Sequence, residues 1–137
     1  MANAPPIPQC TILLVDDEPE VLRLIKRILS AEGTVMIEAR TGAEALAAAR
    51  QTRLDLVILD INLPDMSGTE VLKAIRRIDP GTPVIMVTSY GSVETVRTSM
   101  EFGAFDYLTK PFDNREVRRI AREALAWRAG GSVPLGA

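Results

Sequence analysis

A doubly wound α/β fold, with one parallel sheet and helices on both faces, is predicted by three features of this chain. Short apolar runs rich in β-branched residues recur at Ile12-Leu13-Leu14-Val15, Leu56-Val57-Ile58-Leu59 and Val84-Ile85-Met86-Val87. A continuous rather than alternating run is expected of a strand covered on both faces. Stretches of helical periodicity separate the runs, as crossovers between parallel strands require. Each run also ends on a polar residue: Asp16-Asp17, Asp60 and Thr88. A shorter run, Tyr107-Leu108, leads through Thr109 into Lys110-Pro111. Open α/β sheets place ligand sites outside the carboxyl ends of their strands, so three acids, a hydroxyl and an ammonium are expected at one sheet edge.

A Pro-rich leader precedes the first strand, predicted over 11–15. A helix then opens near Pro19, since proline suits the first helical position. Its predicted apolar face is Val21, Leu24, Ile25, Ile28 and Leu29, and Gly33 is a plausible stop. A second strand is predicted over 35–39. Thr41-Gly-Ala-Glu44 has the Thr-x-x-Glu form of a capping box before an Ala-rich helix ending near Gln51. The central strand follows over 56–59. Pro64 and Gly68 mark the next segment as a loop, and Ser67-Gly-Thr-Glu70 is a second capping box opening a helix that carries Val71, Leu72, Ile75 and Ile78. Pro80-Gly81 breaks that helix. The fourth strand spans 84–87, a helix closed by Gly103 spans 93–102, and the fifth strand spans 105–108. The last helix starts at Asp113 or Asn114, burying Val117, Ile120, Ala121, Ala124 and Leu125 with Arg115, Arg118, Arg119 and Arg122 mostly opposite. Five strands alternating with five helices complete the prediction.

At 137 residues, 47% of them hydrophobic, the chain supports one core and one domain over 10–128, with a flexible leader over 1–9 and a Gly-rich flexible tail or linker over 129–137. A formal charge of −2 with mixed signs disfavours direct nucleic-acid binding. The lone Cys10 excludes an internal disulfide and reads as a small buried hydrophobe in a reducing, cytoplasmic setting. No apolar run has the length of a membrane span. Histidine is absent, which removes Ser-His-Asp triads and His-based zinc sites and leaves any histidine chemistry to a partner.

Three ionised carboxylates about 4 Å apart repel by roughly 4 kcal/mol per pair at an effective dielectric of 20. Such a group needs a cation or a proton. Mg²⁺ suits hard oxygen ligands, is usually held by one or two carboxylates plus phosphate oxygens, and keeps its remaining waters. Asp17 and Asp60 supply the carboxylates in this reading, with Asp16 acting through a metal-bound water. Asp60, ending the central strand, is the candidate nucleophile, because a carboxylate can carry a phosphoryl group as a covalent intermediate. Lys110 can then pair with one phosphoryl oxygen and Thr88 donate to another. Singly, each residue has an ordinary explanation: a helix cap for Asp16 or Asp17, a loop start for Asp60, a turn cap for Thr88, a surface lysine for Lys110. Their joint arrival at strand ends favours a shared site. Lys110-Pro111 is also a candidate cis bond.

With the Asp16-Asp17 pair, Val-Ile-Leu-Asp60-Ile-Asn-Leu-Pro-Asp-Met-Ser-Gly68, Met-Val-Thr88-Ser and Tyr107-Leu-Thr-Lys110-Pro-Phe in this order, the chain closely resembles the receiver domain of bacterial two-component response regulators over about 10–127. The resemblance implies a flavodoxin-like sheet of strand order 2-1-3-4-5. It implies that Asp60 is the phosphoacceptor, that Asp16, Asp17, Asp60 and the Asn62 carbonyl hold Mg²⁺ (Mn²⁺ serving as an alternative), and that Lys110 pairs with the phosphoryl group. Thr88 and Tyr107 become the switch pair. The implied role is a signalling switch rather than an enzyme, catalysing only its own phosphotransfer and autodephosphorylation. Its partners are a histidine kinase or phosphotransfer protein, with homodimerisation through the surface of helix 4, strand 5 and helix 5.

Three positions refine the resemblance. Ser89 stands where family members commonly have alanine or glycine, and Tyr90 and Asn62 stand where they tune phosphoryl lifetime. The Tyr90 ring is expected to hinder in-line water and lengthen it. Gly91-Ser-Val-Glu-Thr and the segment from Gly103 to Asp113 look most like receivers of NtrC-type regulators, while Phe105 replaces the acid usual in OmpR-like dimers. The chain is then a stand-alone receiver or one piece of a longer regulator. Rivals fit less well. Haloacid dehalogenase phosphatases resemble Asp-x-Asp after the first strand, where the acids here are adjacent. An FMN-binding flavodoxin wants a phosphate-cradling loop where Asp16-Asp17-Glu18 repels phosphate. A receiver-like module that is never phosphorylated would have no use for all five key residues. Arg118 and Arg122, four apart, read as a solvated face or, more sharply, a partner surface.

Overall fold

The computed structural model describes residues 10–30, 33–89 and 93–130. Along the chain run β1 (Cys10–Val15), α1 (Pro19–Leu29), β2 (Thr34–Ala39), α2 (Gly42–Gln51), β3 (Leu56–Asp60), α3 (Gly68–Ile78), β4 (Val84–Thr88), α4 (Val93–Glu101), β5 (Asp106–Thr109) and α5 (Asn114–Arg128). All strand pairs are parallel and the sheet order is β2-β1-β3-β4-β5. Alternation along the strands divides the core in two. Ile12, Leu14, Leu56, Ile58, Ile85 and Val87 pack on one face with residues of α1 and α5. Leu13, Val15, Val57, Leu59, Val84 and Met86 pack on the other with residues of α2 and α3. The unbroken apolar runs thus serve two helical layers at once, at about 1.5–3 kcal/mol per buried Val, Leu or Ile side chain. The edge strands β2 and β5 are only partly buried, as Val35 and Tyr107 show.

Helix α1 departs from its predicted face. Leu22, Ile25 and Ile28 are buried, whereas Leu24 is 38% exposed. At 3.6 residues per turn Leu24 lies about 160° around the helix from Leu22, so both cannot face the sheet. The strand and helix bounds otherwise move by one or two residues, with β5 starting at Asp106 rather than Phe105.

Neither capping box closes as predicted. Thr41 caps α2 by accepting from the Glu44 N–H at 3.1 Å, but the Glu44 carboxylate receives the N–H of Arg40, at 3.2 Å, instead of that of Thr41. Ser67 caps α3 through the N–H of Thr69, and Glu70 turns to Lys73. Helix α4 does end on Gly103 (φ 94°), whose N–H reaches the Met100 carbonyl while that of Ala104 reaches the Ser99 carbonyl. Only glycine takes this left-handed cap without cost. Asp113 caps α5, and its predicted face is buried at Val117, Ile120, Ala121 and Ala124. Among the described residues no helix is long and apolar enough to cross a membrane.

Candidate functional site

Strand register assembles the charged residues. Val15 lies level with Leu59, so Asp16, one residue beyond β1, comes beside Asp60, the last residue of β3. Asp60 is level with Val87, and Thr88 with Thr109, which brings Thr88 and Lys110 to the same edge. Asp16, Asp60 and Thr88 are 2%, 3% and 4% exposed. Asp17 and Asn62 are exposed, and Tyr107 is on the surface at the outer strand, level with Met86. The Lys110–Pro111 bond is cis.

The Lys110 ammonium pairs with Asp16 at 2.9 Å, Glu18 at 3.2 Å and Asp60 at 3.3 Å. The other Asp16 oxygen accepts from the N–H of Glu18 at 2.9 Å. Glu18, followed by Pro19 in the first turn, is the N-cap residue of α1, so the ordinary capping role considered for Asp16 and Asp17 is replaced by a turn that Asp16 braces. Asp60 is held from its own loop, since the Asn62 N–H donates to its Oδ1 at 3.1 Å. That loop folds back on itself: the Gly68 N–H donates to the Ile61 carbonyl at 2.7 Å, and Asn62 bridges Ser67. Gly68 is required there because a Cβ would overlap the Asp60 carbonyl oxygen. Thr88 contributes its carbonyl to the Lys110 N–H at 2.8 Å.

Burial pushes the Asp60 carboxyl up to about 6, with the negative charge of Asp16 adding to the rise and the Asn62 N–H and Lys110 opposing it. Burial opposes the charge of Lys110, but its hydrogen bond to Asp16 and the charges of Asp60 and Asp16 outweigh that and raise its pKa. Asp16, Asp17, Glu18 and Asp60 each offer a carboxylate oxygen, all within 4.8 Å of one another. Four hard oxygen donors with more negative charge than one ammonium offsets fit a divalent cation of the Mg²⁺ type.

Two acids, Glu18 and Asp65, were not among the expected site residues. Glu18 joins the cluster and the Lys110 pair, and its signal was a third consecutive acid before the proline. Asp65 accepts from the N–H groups of Gly42 and Ala43 at 2.7 and 3.0 Å, which hold its carboxyl below its usual range. No local spacing announces a contact 23 residues away. Ser89 is exposed, and the Phe105 ring sits 5.9 Å from that of Trp127. Tyr90, Gly91, the leader over 1–9 and the tail beyond Gly130 lie outside the described residues.

Comparison with known proteins identifies the family and supports the fold. The family model "Response regulator receiver domain" matches residues 12–122. The probable transcriptional regulatory protein TcrX of Mycobacterium tuberculosis is 44% identical over 93% of this chain. Among solved structures, a receiver domain protein of Methanospirillum hungatei superposes with a TM-score of 0.83 at 37% identity, over 88% of this chain and 97% of that one. The receiver domain of NtrX from Brucella abortus gives 0.78 at 36%, over 83% and 97%. The chain spans 54% of the length of TcrX and about a quarter of several longer relatives, regulators of NtrC type among them. With its fold, its acid cluster and these matches taken together, the chain belongs to the response regulator receiver domain family.

Proposed function

We propose that residues 10–128 form a phosphoacceptor receiver in which Asp60 takes a phosphoryl group from a histidine kinase or phosphotransfer protein. The observation that carries this reading is the buried Asp60 carboxylate, braced by the Asn62 N–H and facing Lys110 beside three further acids, Asp16, Asp17 and Glu18, that follow the first strand. An Asp60 oxygen forms the new P–O bond as the P–N bond to the donor's imidazole breaks, and the imidazole leaves with the electron pair. Asp16, Asp17, Asp60 and the Asn62 carbonyl would hold Mg²⁺ or Mn²⁺, which when bound offsets the charge of the phosphoryl oxygens. Lys110 exchanges its carboxylate contacts for a phosphoryl oxygen, and the Thr88 hydroxyl donates to another.

The switch is a population shift, since phosphorylation favours the active arrangement only by the difference in contacts it makes there. Thr88 and Tyr107 are its moving parts, and α4, β5 and α5 form the face offered to a partner or a second copy. The chain acts as a cytoplasmic signalling switch, not an enzyme on outside substrates, and does not itself bind nucleic acid.

The test is intact mass after incubation with acetyl phosphate and Mg²⁺, beside Asp60→Asn and a chelator control. One added phosphoryl group, absent from both controls, is expected. No adduct, together with no response to beryllofluoride, would leave an interaction module that is never phosphorylated.

A further inference from the structure

Asp65 stands at the tip of the loop between β3 and α3, three residues past Asn62. Its two carboxylate oxygens each take a backbone N–H from a different element, Gly42 at 2.7 Å and Ala43 at 3.0 Å. These are the first two amides of α2, donors that a helix leaves without internal partners. The next amide, that of Glu44, is already served by Thr41. Gly42 also lies so close to Met66 that a Cβ there would overlap the Met66 side chain. The loop is therefore gripped at both ends. Its base is closed by the Gly68 to Ile61 hydrogen bond, and its tip is tied to α2.

Ala43 is exposed and water could serve its amide, whereas Gly42 is buried and its N–H needs a protein acceptor, which a single oxygen would supply. What the two-oxygen contact adds is a fixed distance between α2 and the segment carrying Asn62. The Asn62 N–H is the group that fixes Asp60 Oδ1, at 3.1 Å. We propose that Asp65 is a positioning residue for the acceptor site, holding the loop so that the Asn62 N–H orients the Asp60 carboxylate and the Asn62 carbonyl faces the cation. This role rests on the Mg²⁺ site proposed above. It accounts for an exposed loop acid whose two carboxylate oxygens are each taken by a main-chain amide of α2.

The experiment compares wild type, Asp65→Ala, Asp65→Asn and Thr41→Ala. Mg²⁺ is titrated against amide NMR shifts, and hydrogen exchange of the Asn62 amide is measured without metal. Thr41→Ala weakens the same helix start without touching the loop, so it separates capping from positioning. Asp65→Ala is expected to bind Mg²⁺ about tenfold more weakly, within the range seen when outer partners of metal ligands are removed. Its Asn62 amide should exchange faster. Asp65→Asn keeps one good acceptor and should fall between, while Thr41→Ala matches wild type in both readouts. Unchanged Mg²⁺ affinity and Asn62 exchange in Asp65→Ala, or equal losses in Thr41→Ala, would reduce Asp65 to a helix cap. Absence of any Mg²⁺ response in wild type would overturn the cation site itself, and this role with it.

Discussion

The ammonium of Lys110 lies 2.9 Å from a carboxylate oxygen of Asp16, in a pair whose side chains are only 14% and 2% exposed. The two residues follow β5 and β1, which have β3 and β4 between them in the sheet. Lys110 thus spans the acid cluster and touches Glu18 and Asp60 as well. One ammonium serves three carboxylates, and Asp17 adds a fourth to the cluster. The balance leaves negative charge in excess at a partly sealed edge, where it is costly. The same excess that attracts a divalent cation makes the cation-free site a weak point of the fold.

Replacing Lys110 tests that balance from the positive side. Lys110→Ala leaves Asp16 and Asp60 buried without the ion pair they share, and loss of one member of a buried pair costs about 3 kcal/mol. Urea unfolding of the variant in chelator should show that loss, and added Mg²⁺ should stabilise the variant more than it does wild type. A melt in chelator within experimental error of wild type would mean that the acids are satisfied without Lys110.

Asp60→Asn tests it from the negative side and carries a pH signature. The Asp60 carboxyl titrates near 3.8 when unfolded and near 6 in the folded site. Between those values the native state holds a proton that the unfolded chain has released, so stability falls as pH rises through the window and levels off above about 6. At about 1.4 kcal/mol per unit the cost of ionised Asp60 at pH 7 is at most on the order of 3 kcal/mol. In chelator Asp60→Asn is expected to melt higher than wild type at pH 7, by an amount that shrinks toward pH 4. A lower melting temperature at pH 7 would mean that the ionised carboxylate contributes more to the Lys110 network than its burial costs.

The fold was legible because its signals are local. Continuous runs such as Leu56 to Leu59 read as buried strands, and the carboxyl ends of parallel strands share one sheet edge, so the gathering of Asp16, Asp60, Thr88 and Lys110 was expected. Strand order came from the family resemblance and register from the structure. The errors sit where a local pattern has two solutions. Leu24 and Leu22 both fit an apolar stripe on α1, and only the packing of the sheet against Leu22 decides between them. Glu44 and Glu70 satisfy a capping-box spacing, yet competing partners draw their carboxylates elsewhere. Asp65 could not be read at all. Its partners lie 23 and 22 residues away, and the nearby Pro64 and Gly68 announce only a loop.

Far from the acid cluster, Arg128 closes the last turn of α5 on Asp79, with its Nη2 2.6 Å from Asp79 Oδ2. The Gly81 N–H donates to the other oxygen at 3.0 Å. The bond to Arg128, more than any other contact, holds the Asp79 carboxyl below its usual 3.8. The unfolded chain therefore binds the proton first as pH falls. The stabilisation is present in full above about pH 4 and is lost as pH drops through the lower native value. Because Asp79 is 37% exposed, the pair is screened and is worth about 1 kcal/mol at neutral pH. Arg128→Met keeps much of the apolar stem, so its deficit against wild type should measure the ion pair. That deficit should be evident in urea unfolding at pH 7, match that of Asp79→Asn, and close as pH is lowered through the native value of Asp79. A deficit that persists undiminished at low pH would assign the loss to packing of the guanidinium over Gly81, where a Cβ on the glycine would meet Arg128 Nη1.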